Sequence, residues 1–559
     1  MAYRVSKTST KLLKEITSGN KDRKIRLKYK ASFLQRSMDA FCFLLALAIP
    51  ILYFYVSLPI LLAIAFIGCF IFGIREFFIQ HDHALIRIYG PFGRLRYLFE
   101  NEFRDKYLQY FNETNVDGRP IPRIVRDYVY QKAHNVKALT SFGTELDIFD
   151  TENSSHARIL HSNFPGEIQN TGYGLEVGAK REGVRPFHIS NTINVSAMSY
   201  GSLNYRAAEA ISIGSKGVGY VNCGEGGLGP HGVAKNDIVY QIGTGKFGVG
   251  EFVTLSDGTI TRKLNEKLLV ELVKNNDNVR MLQIKISQGA KPGMGGVLPG
   301  SKVTPEIAEV RKVEPYQTIH SPPQHYELLA ATSKEAISNL MDFIERLRKL
   351  TNLPVGIKFC VGRLREIDDL VAAMKATGKG PDAIQIDGAD GGTGAGPNLF
   401  VNYVGYGGAI ETLHYLDKKL KEAGLRDEVI LSASGRILTP VHAALAFAYG
   451  ADVIDTARGI MLALGCIQAL KCHSNSCPTG ITTNQPWRVH GINIPEKSAR
   501  VHCYLKGFHE DMLQLTKVMQ HQDPRDITPE DIRLITYRDN FAGYFEEDPF
   551  GLKVPTYQS

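Results

Sequence analysis

Residues 355–387 read VGIKFCVGRLREIDDLVAAMKATGKGPDAIQID, and this stretch is the clearest guide to the fold class. Its two ends, Val355–Cys360 and Ala383–Asp387, are short apolar runs rich in Val and Ile, and a helical pattern joins them. Strands that alternate with helices in this way usually pair in parallel. The stretch therefore predicts one strand–helix–strand unit of a parallel sheet.

The same alternation continues on both sides of this unit, from about residue 190 to residue 456. It yields eight candidate strands: Ile193–Met198, Val218–Cys223, Met281–Ser287, Thr318–Ser321, Val355–Cys360, Ala383–Asp387, Val429–Ser432 and Val453–Thr456. Eight such units predict a (β/α)8 TIM barrel, and a doubly wound parallel sheet is the alternative. The insert between Cys223 and Met281 is Gly-rich at first and is expected to cover the active-site face.

Positive charge is concentrated at the N-terminus. Residues 1–38 hold 11 Lys and Arg against Glu15 and Asp22, whereas the whole chain has a formal charge of +8, so the remainder is about neutral. A basic tail beside an apolar stretch favours a membrane surface over nucleic acid as its partner. The chain has eight cysteines and no secretory signature, which predicts a reducing compartment.

Residues 40–74 contain no charged side chain. Such a run is long enough for two membrane-spanning helices of roughly 17 residues each, and Pro50 and Pro59 near its middle favour a break. Arg36 and Arg75 flank the run, so both ends are expected in the cytoplasm. We therefore predict a multi-pass protein of the cell membrane with a cytoplasmic catalytic domain. A buried helical hairpin in a soluble core is the alternative.

These patterns divide the chain into five segments. They are a basic cytoplasmic tail (1–38), a transmembrane hairpin (39–75), a connector and barrel cap (76–190), the barrel domain with a cysteine loop at 465–478 (191–485) and a C-terminal helical extension (486–559).

The cysteine loop carries the strongest chemical signal. Cys466, Cys472 and Cys477 are spaced C-x5-C-x4-C and are followed by Pro478. Thiolates at such spacing can wrap one compact iron–sulfur centre. Zinc normally takes four ligands, and His473 is the nearby candidate for a fourth; three unrelated thiols are the remaining possibility.

Several other motifs occur in a fixed order. They are Val195-Ser-Ala-Met-Ser-Tyr-Gly-Ser202, Gly224-Glu-Gly-Gly227, Gln288-Gly-Ala-Lys-Pro-Gly293, Leu298-Pro-Gly300, Ser321-Pro-Pro323 and Asp390-Gly-Gly-Thr-Gly-Ala395. Together with the cysteine loop, they resemble the FMN-binding synthase domain of glutamate synthases, from about Ile193 to Thr483. The resemblance implies FMN as cofactor and a [3Fe–4S] cluster on Cys466, Cys472 and Cys477.

The flavin site can be placed on the predicted barrel. Lys358 ends an apolar strand and could stabilise the negative charge that builds at N1 of a reduced flavin. Small residues and arginines follow strands seven and eight, where barrels commonly bind phosphate. With those that the resemblance adds, the predicted FMN residues are Met198, Ser199, Gly201, Lys358, Asp387, Ser434, Gly435, Arg436, Arg458 and Gly459.

The resemblance also implies a 2-oxo dicarboxylate substrate. Lys291 suits the proton donor, Arg311 the carboxylate-binding group and Gln288 an orienting hydrogen-bond partner, and Glu225 corresponds to the family's acidic residue in the Gly-rich loop. The chain departs from the family at Met294 and Val297, where Glu and Gln are typical. The second change removes a family substrate contact.

The implied reaction combines 2-oxoglutarate or a related keto acid, ammonia and two electrons. We see neither a glutaminase-type N-terminal cysteine nor a dinucleotide-binding G-x-G-x-x-G. Ammonia is therefore expected from solution or a partner, and electrons from a ferredoxin, a reductase subunit or a membrane carrier. Two alternatives stay open: the same cofactors acting on another keto, imino or amine compound, and a membrane-tethered electron-transfer subunit.

Overall fold

The computed structural model describes residues 118–137, 156–165 and 173–535, with isolated positions between 67 and 144. Within these ranges, no helix has the length and apolarity needed to cross a bilayer. The predicted hairpin at 40–74 lies outside the described residues, apart from Ile67, Phe70, Ile71 and Ile74, which are helical and exposed. The hairpin and the basic tail therefore stay predictions.

The strands lie mainly between residues 156 and 456. They are β1 (His156–Ile159), β2 (Leu175–Val177), β3 (Phe187–Ile189), β4 (Ile193–Val195), β5 (Val221–Asn222), β6 (Ile238–Ile242), β7 (Gly250–Thr254), β8 (Ile260–Leu264), β9 (Val279–Lys285), β10 (Val297–Leu298), β11 (Ile319–His320), β12 (Val355–Phe359), β13 (Ala383–Asp387), β14 (Ile430–Ser434), β15 (Val453–Thr456) and β16 (Ile532–Ile535).

The helices of the described chain alternate with most of these strands. They are α1 (Arg123–Ala133), α2 (Tyr205–Ser215), α3 (Glu266–Asn275), α4 (Pro305–Arg311), α5 (Ser333–Thr351), α6 (Leu364–Thr377), α7 (Asn398–Tyr403), α8 (Ala409–Ala423), α9 (Pro440–Ala448), α10 (Arg458–Ala463), α11 (Pro486–Val489) and α12 (Ile494–Val518).

Eight strands close into a parallel barrel in the order β4-β5-β6-β9-β12-β13-β14-β15, and β15 returns to β4. The predicted TIM barrel is confirmed, and the doubly wound sheet was the wrong alternative. The barrel strands are buried on both faces, and every residue of β6 and β13 is buried. This is typical of a parallel sheet, because helices cover its outer face. The site therefore belongs at the carboxyl ends of these strands.

Two strand predictions require correction. The candidate strand Thr318–Ser321 is not part of the barrel, because β11 pairs antiparallel with β10 in a small separate sheet. The third barrel strand is instead β6, which lies inside the region expected to be a covering insert. All five residues of its sequence IVYQI are buried, as is usual for a strand of a parallel sheet that is covered on both faces.

The rest of that insert forms a hairpin and a helix. Strands β7 and β8 pair antiparallel over five residues, and α3 follows before β9 begins. The other pairs outside the barrel are β2 with β3 and β1 with β16.

The long helix α12 packs closely against α2. A Cβ atom at Gly214 would lie 2.5 Å from the Ser498 carbonyl oxygen and 2.8 Å from Val501, so only glycine allows this approach. Helices α11 and α12 lie within the segment predicted as a helical extension. Their packing makes the C-terminal part of the chain a wall of the barrel unit.

Candidate active site

A cavity of about 1520 Å³ opens at the carboxyl ends of the barrel strands. Fifteen of the seventeen predicted site residues line it: Met198, Ser199, Glu225, Gln288, Lys291, Arg311, Lys358, Asp387, Ser434, Gly435, Arg436, Arg458, Cys466, Cys472 and Cys477. Gly201 and Gly459 are not among the lining residues. A Cβ atom at Gly201 would meet Leu298 at 3.0 Å, and one at Gly459 would clash with the Tyr504 hydroxyl. Both glycines therefore permit close packing behind the wall.

A buried ion pair lies at the end of β9. The Lys285 Nζ atom donates to Glu225 Oε1 at 2.8 Å and to Gln288 Oε1 at 2.7 Å. Burial alone would raise the pKa of Glu225, but the charges of Lys285, Arg311 and Lys291 hold it below its ordinary value. Glu225 is therefore a carboxylate at neutral pH and balances the surrounding cations.

Sequence reasoning missed Lys285. The signal was present, because Lys285 ends β9 in the pattern Gln-Ile-Lys, much as Lys358 lies in Gly-Ile-Lys on β12. The two lysines are register partners on adjacent parallel strands. A strand that ends in lysine beside another such strand indicates a shared site.

Lys291 is largely buried, and its Nζ atom donates to the carbonyl oxygen of Ala395 at 2.8 Å. Burial lowers its pKa, the charge of Lys285 lowers it further, and Glu225 opposes both effects. A lysine with a lowered pKa gives up a proton more readily near neutral pH. Its position on the cavity wall suits the predicted proton donor.

Arg311 ends α4 and is buried beside the same cavity. Its Nε and Nη2 atoms both donate to the carbonyl oxygen of Tyr200, at 3.1 and 2.7 Å. Its guanidinium carbon lies 4.9 Å from the centre of the Phe247 ring. Burial lowers the pKa of Arg311 to about 10, which leaves it charged at neutral pH.

Lys358 is held by a network that faces the cavity. Its Nζ atom lies 3.4 Å from Asp387 Oδ2, and that oxygen also accepts from the Gly289 amide at 2.9 Å. Asp387 Oδ1 accepts from the Ser434 hydroxyl at 2.6 Å. Burial would raise the pKa of Asp387, but Lys358 and these donors hold it below its ordinary value. The ionised Asp387 thus fixes the orientation of the Lys358 ammonium group.

Two arginines lie close together after strands β14 and β15. Gly435 and Arg436 both have positive φ, at 127° and 51°, and Arg458 Nη2 donates to the Asp390 carbonyl oxygen at 2.7 Å. Burial, together with the neighbouring charge of Arg436, lowers the pKa of Arg458 to about 10. Two mutually repelling guanidinium groups at the end of a barrel fit a phosphate dianion.

The cysteine loop forms another part of the cavity wall. Burial, together with the nearby thiols of Cys472 and Cys477, raises the pKa of Cys466 to about 12. All three cysteines line one space. Among the residues that the structure describes, no three His, Cys, Asp or Glu side chains could hold a single metal ion. The donor set of three cysteines facing one cavity fits a multi-iron cluster.

The cavity rim includes the two positions that depart from the family pattern. Met294 and Val297 line the cavity, and both side chains remain more than a third exposed. They place apolar surface where the family typically has Glu and Gln.

His231 is a further residue that sequence reasoning missed. Its Nε2–H donates to the carbonyl oxygen of Met198 at 2.9 Å, whereas its buried Nδ1 atom has no partner in the described chain. Burial lowers the pKa of His231 to about 4. The neutral imidazole thus supports the loop that carries Met198.

We expect this histidine to make the fold sensitive to acid. Its folded pKa lies below the unfolded value, so its contribution is complete above about pH 6.5 and is lost as the pH falls towards 4. The loss is about 1.4 kcal/mol for each pH unit in that window. The free energy of unfolding of His231→Gln should therefore fall less steeply between pH 7 and 5 than that of the wild type. The control is His134→Gln, at an exposed position, which should keep the wild-type slope. If His231→Gln also keeps the wild-type slope, the prediction is wrong.

Comparison with known proteins assigns the chain to a family. The conserved region in glutamate synthase matches residues 147–522, which is more than half of the chain. The glutamate synthase large subunit-like protein YerD of Bacillus subtilis (strain 168) is 32% identical over 499 residues, covering 81% of this chain and 90% of that protein.

Two further relatives match a little more than half of the chain. The ferredoxin-dependent glutamate synthase of Cyanidium caldarium is 32% identical over 346 residues, which are 57% of this chain and 20% of that one. The archaeal glutamate synthase (NADPH) of Methanocaldococcus jannaschii is 30% identical over 331 residues, or 58% of each chain. The alignment thus spans less than two thirds of these two relatives. The match confirms the resemblance: the chain belongs to the glutamate synthase family, whose members are oxidoreductases that act on amino-group donors.

Proposed function

We propose that this protein reductively aminates 2-oxoglutarate to glutamate, using FMN and a three-cysteine iron–sulfur cluster. The observation that carries the proposal is the convergence of Lys285, Lys291, Arg311 and Glu225 on the cavity that Lys358 also lines. Three cations balanced by one carboxylate suit a dianionic substrate. An electron-transfer subunit without a reaction of its own would have no need of them.

The reaction balances as follows. Ammonia condenses with the 2-oxo group to give 2-iminoglutarate and water, and a hydride with one proton then converts the imine to the amine. Bound FMN supplies the hydride and stores the incoming electrons. The chain's residues do the remaining work: Arg311 and Lys285 bind carboxylates, and Lys291 delivers the proton.

Glu225 has a supporting role in this scheme. Its carboxylate holds Lys285 at 2.8 Å and partly offsets the effect that burial has on Lys291. The Lys291 ammonium group is therefore protonated often enough to act as an acid, while its lowered pKa favours proton release.

FMN would be held by residues from several strand ends. Lys358 would face the flavin ring, where it would stabilise negative charge on reduction. Arg436 and Arg458 would bind the phosphate, with the backbone of Gly435 close by. The neighbouring charge of Arg436 lowers the pKa of Arg458, and a bound phosphate dianion would offset this repulsion, which supports the assignment.

We expect the purified protein to be yellow and to bind FMN non-covalently. Arg458→Met removes a half-buried charged donor, and hydrogen bonds to charged groups contribute roughly 1.5–3 kcal/mol. The FMN dissociation constant, measured by flavin fluorescence, should therefore rise roughly tenfold or more. Arg363→Met, at the exposed start of α6, is the control. A protein that stays colourless after FMN addition would contradict the flavin assignment.

Steady-state synthesis tests the proposed reaction. With a chemical reductant and ammonia, the protein should form glutamate from 2-oxoglutarate, and Arg311→Lys should impair this. The apolar rim at Met294 and Val297 favours a second candidate, a 2-oxo or 2-imino acid with a less polar side chain. Higher kcat/KM on such an acid than on 2-oxoglutarate would decide for the second candidate.

We also propose that residues 40–74 anchor the protein in the cell membrane with its catalytic domain in the cytoplasm. The uncharged run and its flanking arginines support this. The full-length protein should sediment with membranes and resist extraction by salt, and deletion of residues 1–75 should yield a soluble, flavin-containing protein. Recovery of the intact protein in the soluble fraction at low salt would refute the anchor. Electrons would arrive from a ferredoxin, a reductase subunit or a membrane carrier.

A further inference from the structure

Residues 119–133, which we call the strap, contact both predicted cofactor sites although they precede the matched family region at 147–522. The strap comprises a short extended entry and helix α1. The helix is secured to α12, because Tyr128 and Lys132 both bond to Asp511, at 2.8 and 2.7 Å. This firm attachment fixes the entry of the strap over the cavity.

The entry of the strap bonds to the phosphate side of the cavity. The carbonyl oxygen of Pro120 accepts from Arg436 Nη2 at 2.6 Å. Pro120 and Ile121 also line the cavity. The strap thus helps to set the position of one of the two arginines proposed to bind the FMN phosphate.

The strap also bonds to the cysteine loop at two places. The Ile121 amide donates to Gln468 Oε1 at 3.2 Å, and the Ile121 carbonyl accepts from Gln468 Nε2 at 3.1 Å. The Tyr130 hydroxyl donates to the carbonyl oxygen of Cys466 at 2.8 Å. The oxygen and the nitrogen of the Gln468 side-chain amide thus both bond to the backbone of Ile121.

These bonds act at a part of the loop where the backbone conformation is unfavourable. Gln468 and Leu470 have φ values of 55° and 54°, in the left-handed region that non-glycine residues rarely adopt. Such conformations cost of order 1–3 kcal/mol and persist only where the surroundings enforce them. The two residues lie between Cys466 and Cys472, so their conformation determines how the two thiols are spaced.

We infer that the strap is a positioning element of the redox centre, with Gln468 as its contact residue: it holds the Cys466–Cys472 loop in the conformation that binds the cluster. The inference rests on the proposed function for the identity of that cluster. It adds to the site a segment from outside the family region, on the side of the chain that leads to the predicted membrane anchor.

The test compares Gln468→Leu with Ser474→Ala in the full-length protein. The first variant removes both bonds to Ile121, and the second changes an exposed hydroxyl of the same loop that does not contact the strap. Backbone amide exchange in the 467–471 peptide should accelerate roughly tenfold or more in Gln468→Leu, and iron per chain should fall at least by half. Ser474→Ala should match the wild type in both measurements. Tyr130→Phe should accelerate exchange at Cys466.

The two measurements separate the inference from the proposed function. Amide exchange reports on the strap whether or not iron is bound, so a wild-type protein without iron would count against the cluster alone. Unchanged exchange and unchanged iron in Gln468→Leu, in a wild type that does hold iron, would overturn the strap.

Discussion

Replacing Lys291 by Met is expected to lower kcat by roughly 10²–10⁴-fold, the usual loss for a general acid. The residue lies on the cavity wall, its ammonium group bonds to the Ala395 carbonyl, and burial lowers its pKa. Methionine keeps the length of the side chain and removes the proton. Substrate affinity should change little, because the proton transfer develops only in the transition state.

The measurement is kcat and KM for the true keto acid at saturating ammonia. Lys312→Met, an exposed lysine next to Arg311, is the matched control and should leave kcat unchanged. Arg311→Lys should act first on KM, since a carboxylate contact forms before the transition state. The two active-site variants should therefore separate kinetically, with FMN retained in both. A Lys291→Met enzyme with wild-type kcat would exclude this proton donor.

Cys472→Ser is expected to abolish the proposed iron–sulfur cluster. A [3Fe–4S] centre on three thiolates loses one of its protein ligands, and serine is a poor substitute for thiolate at iron. Cys472 lines the cavity together with Cys466 and Cys477 and is the middle one of the three proposed ligands. Iron per chain should fall to background.

Iron analysis and electron paramagnetic resonance measure this loss. Cys503→Ser, at a buried cysteine of α12 away from the loop, is the control and should keep the wild-type signal. Stoichiometric zinc without iron in the wild type would show that the loop is a zinc site, with His473 the first candidate for the fourth ligand.

The sequence was sufficient for the barrel because its strands carry a local signal. Runs such as Ala383–Asp387 are apolar, short and bounded by helical patterns, and the structure places that strand at the same residues. The signal failed where the pattern was interrupted. Ile238–Ile242 is flanked by Gly-rich sequence and was not predicted as a strand, although it pairs within the barrel. Thr318–Ser321 has the composition of a strand, but its residues pair outside the barrel.

Some residues of the candidate site could likewise be predicted from the sequence, and others could not. Motifs identified Lys291, Lys358 and the cysteines, because each lies in a recognisable local pattern. Lys285 was missed because its role depends on partners that the fold brings near, namely Glu225 from another strand end and Lys358 in register beside it. His231 was missed for the same reason, since only burial against Met198 distinguishes it from a surface histidine.

The contacts of the strap could not be predicted from the sequence. Gln468 and Ile121 are 347 residues apart, and the bond involves the backbone of Ile121, whose side chain carries no polar signal. No local pattern could predict such a pair. Long-range contacts of this kind require the folded chain.

Anaerobic reoxidation of the reduced flavin is the most direct test of the proposed reaction. The purified protein would be reduced chemically, freed of excess reductant and mixed with 2-oxoglutarate and ammonia while flavin absorbance is followed. We predict rapid return of the oxidised spectrum with formation of about one glutamate per two electrons, and no return when either reactant is omitted. A reduced flavin that 2-oxoglutarate and related keto acids with ammonia all fail to reoxidise would contradict the proposed reaction.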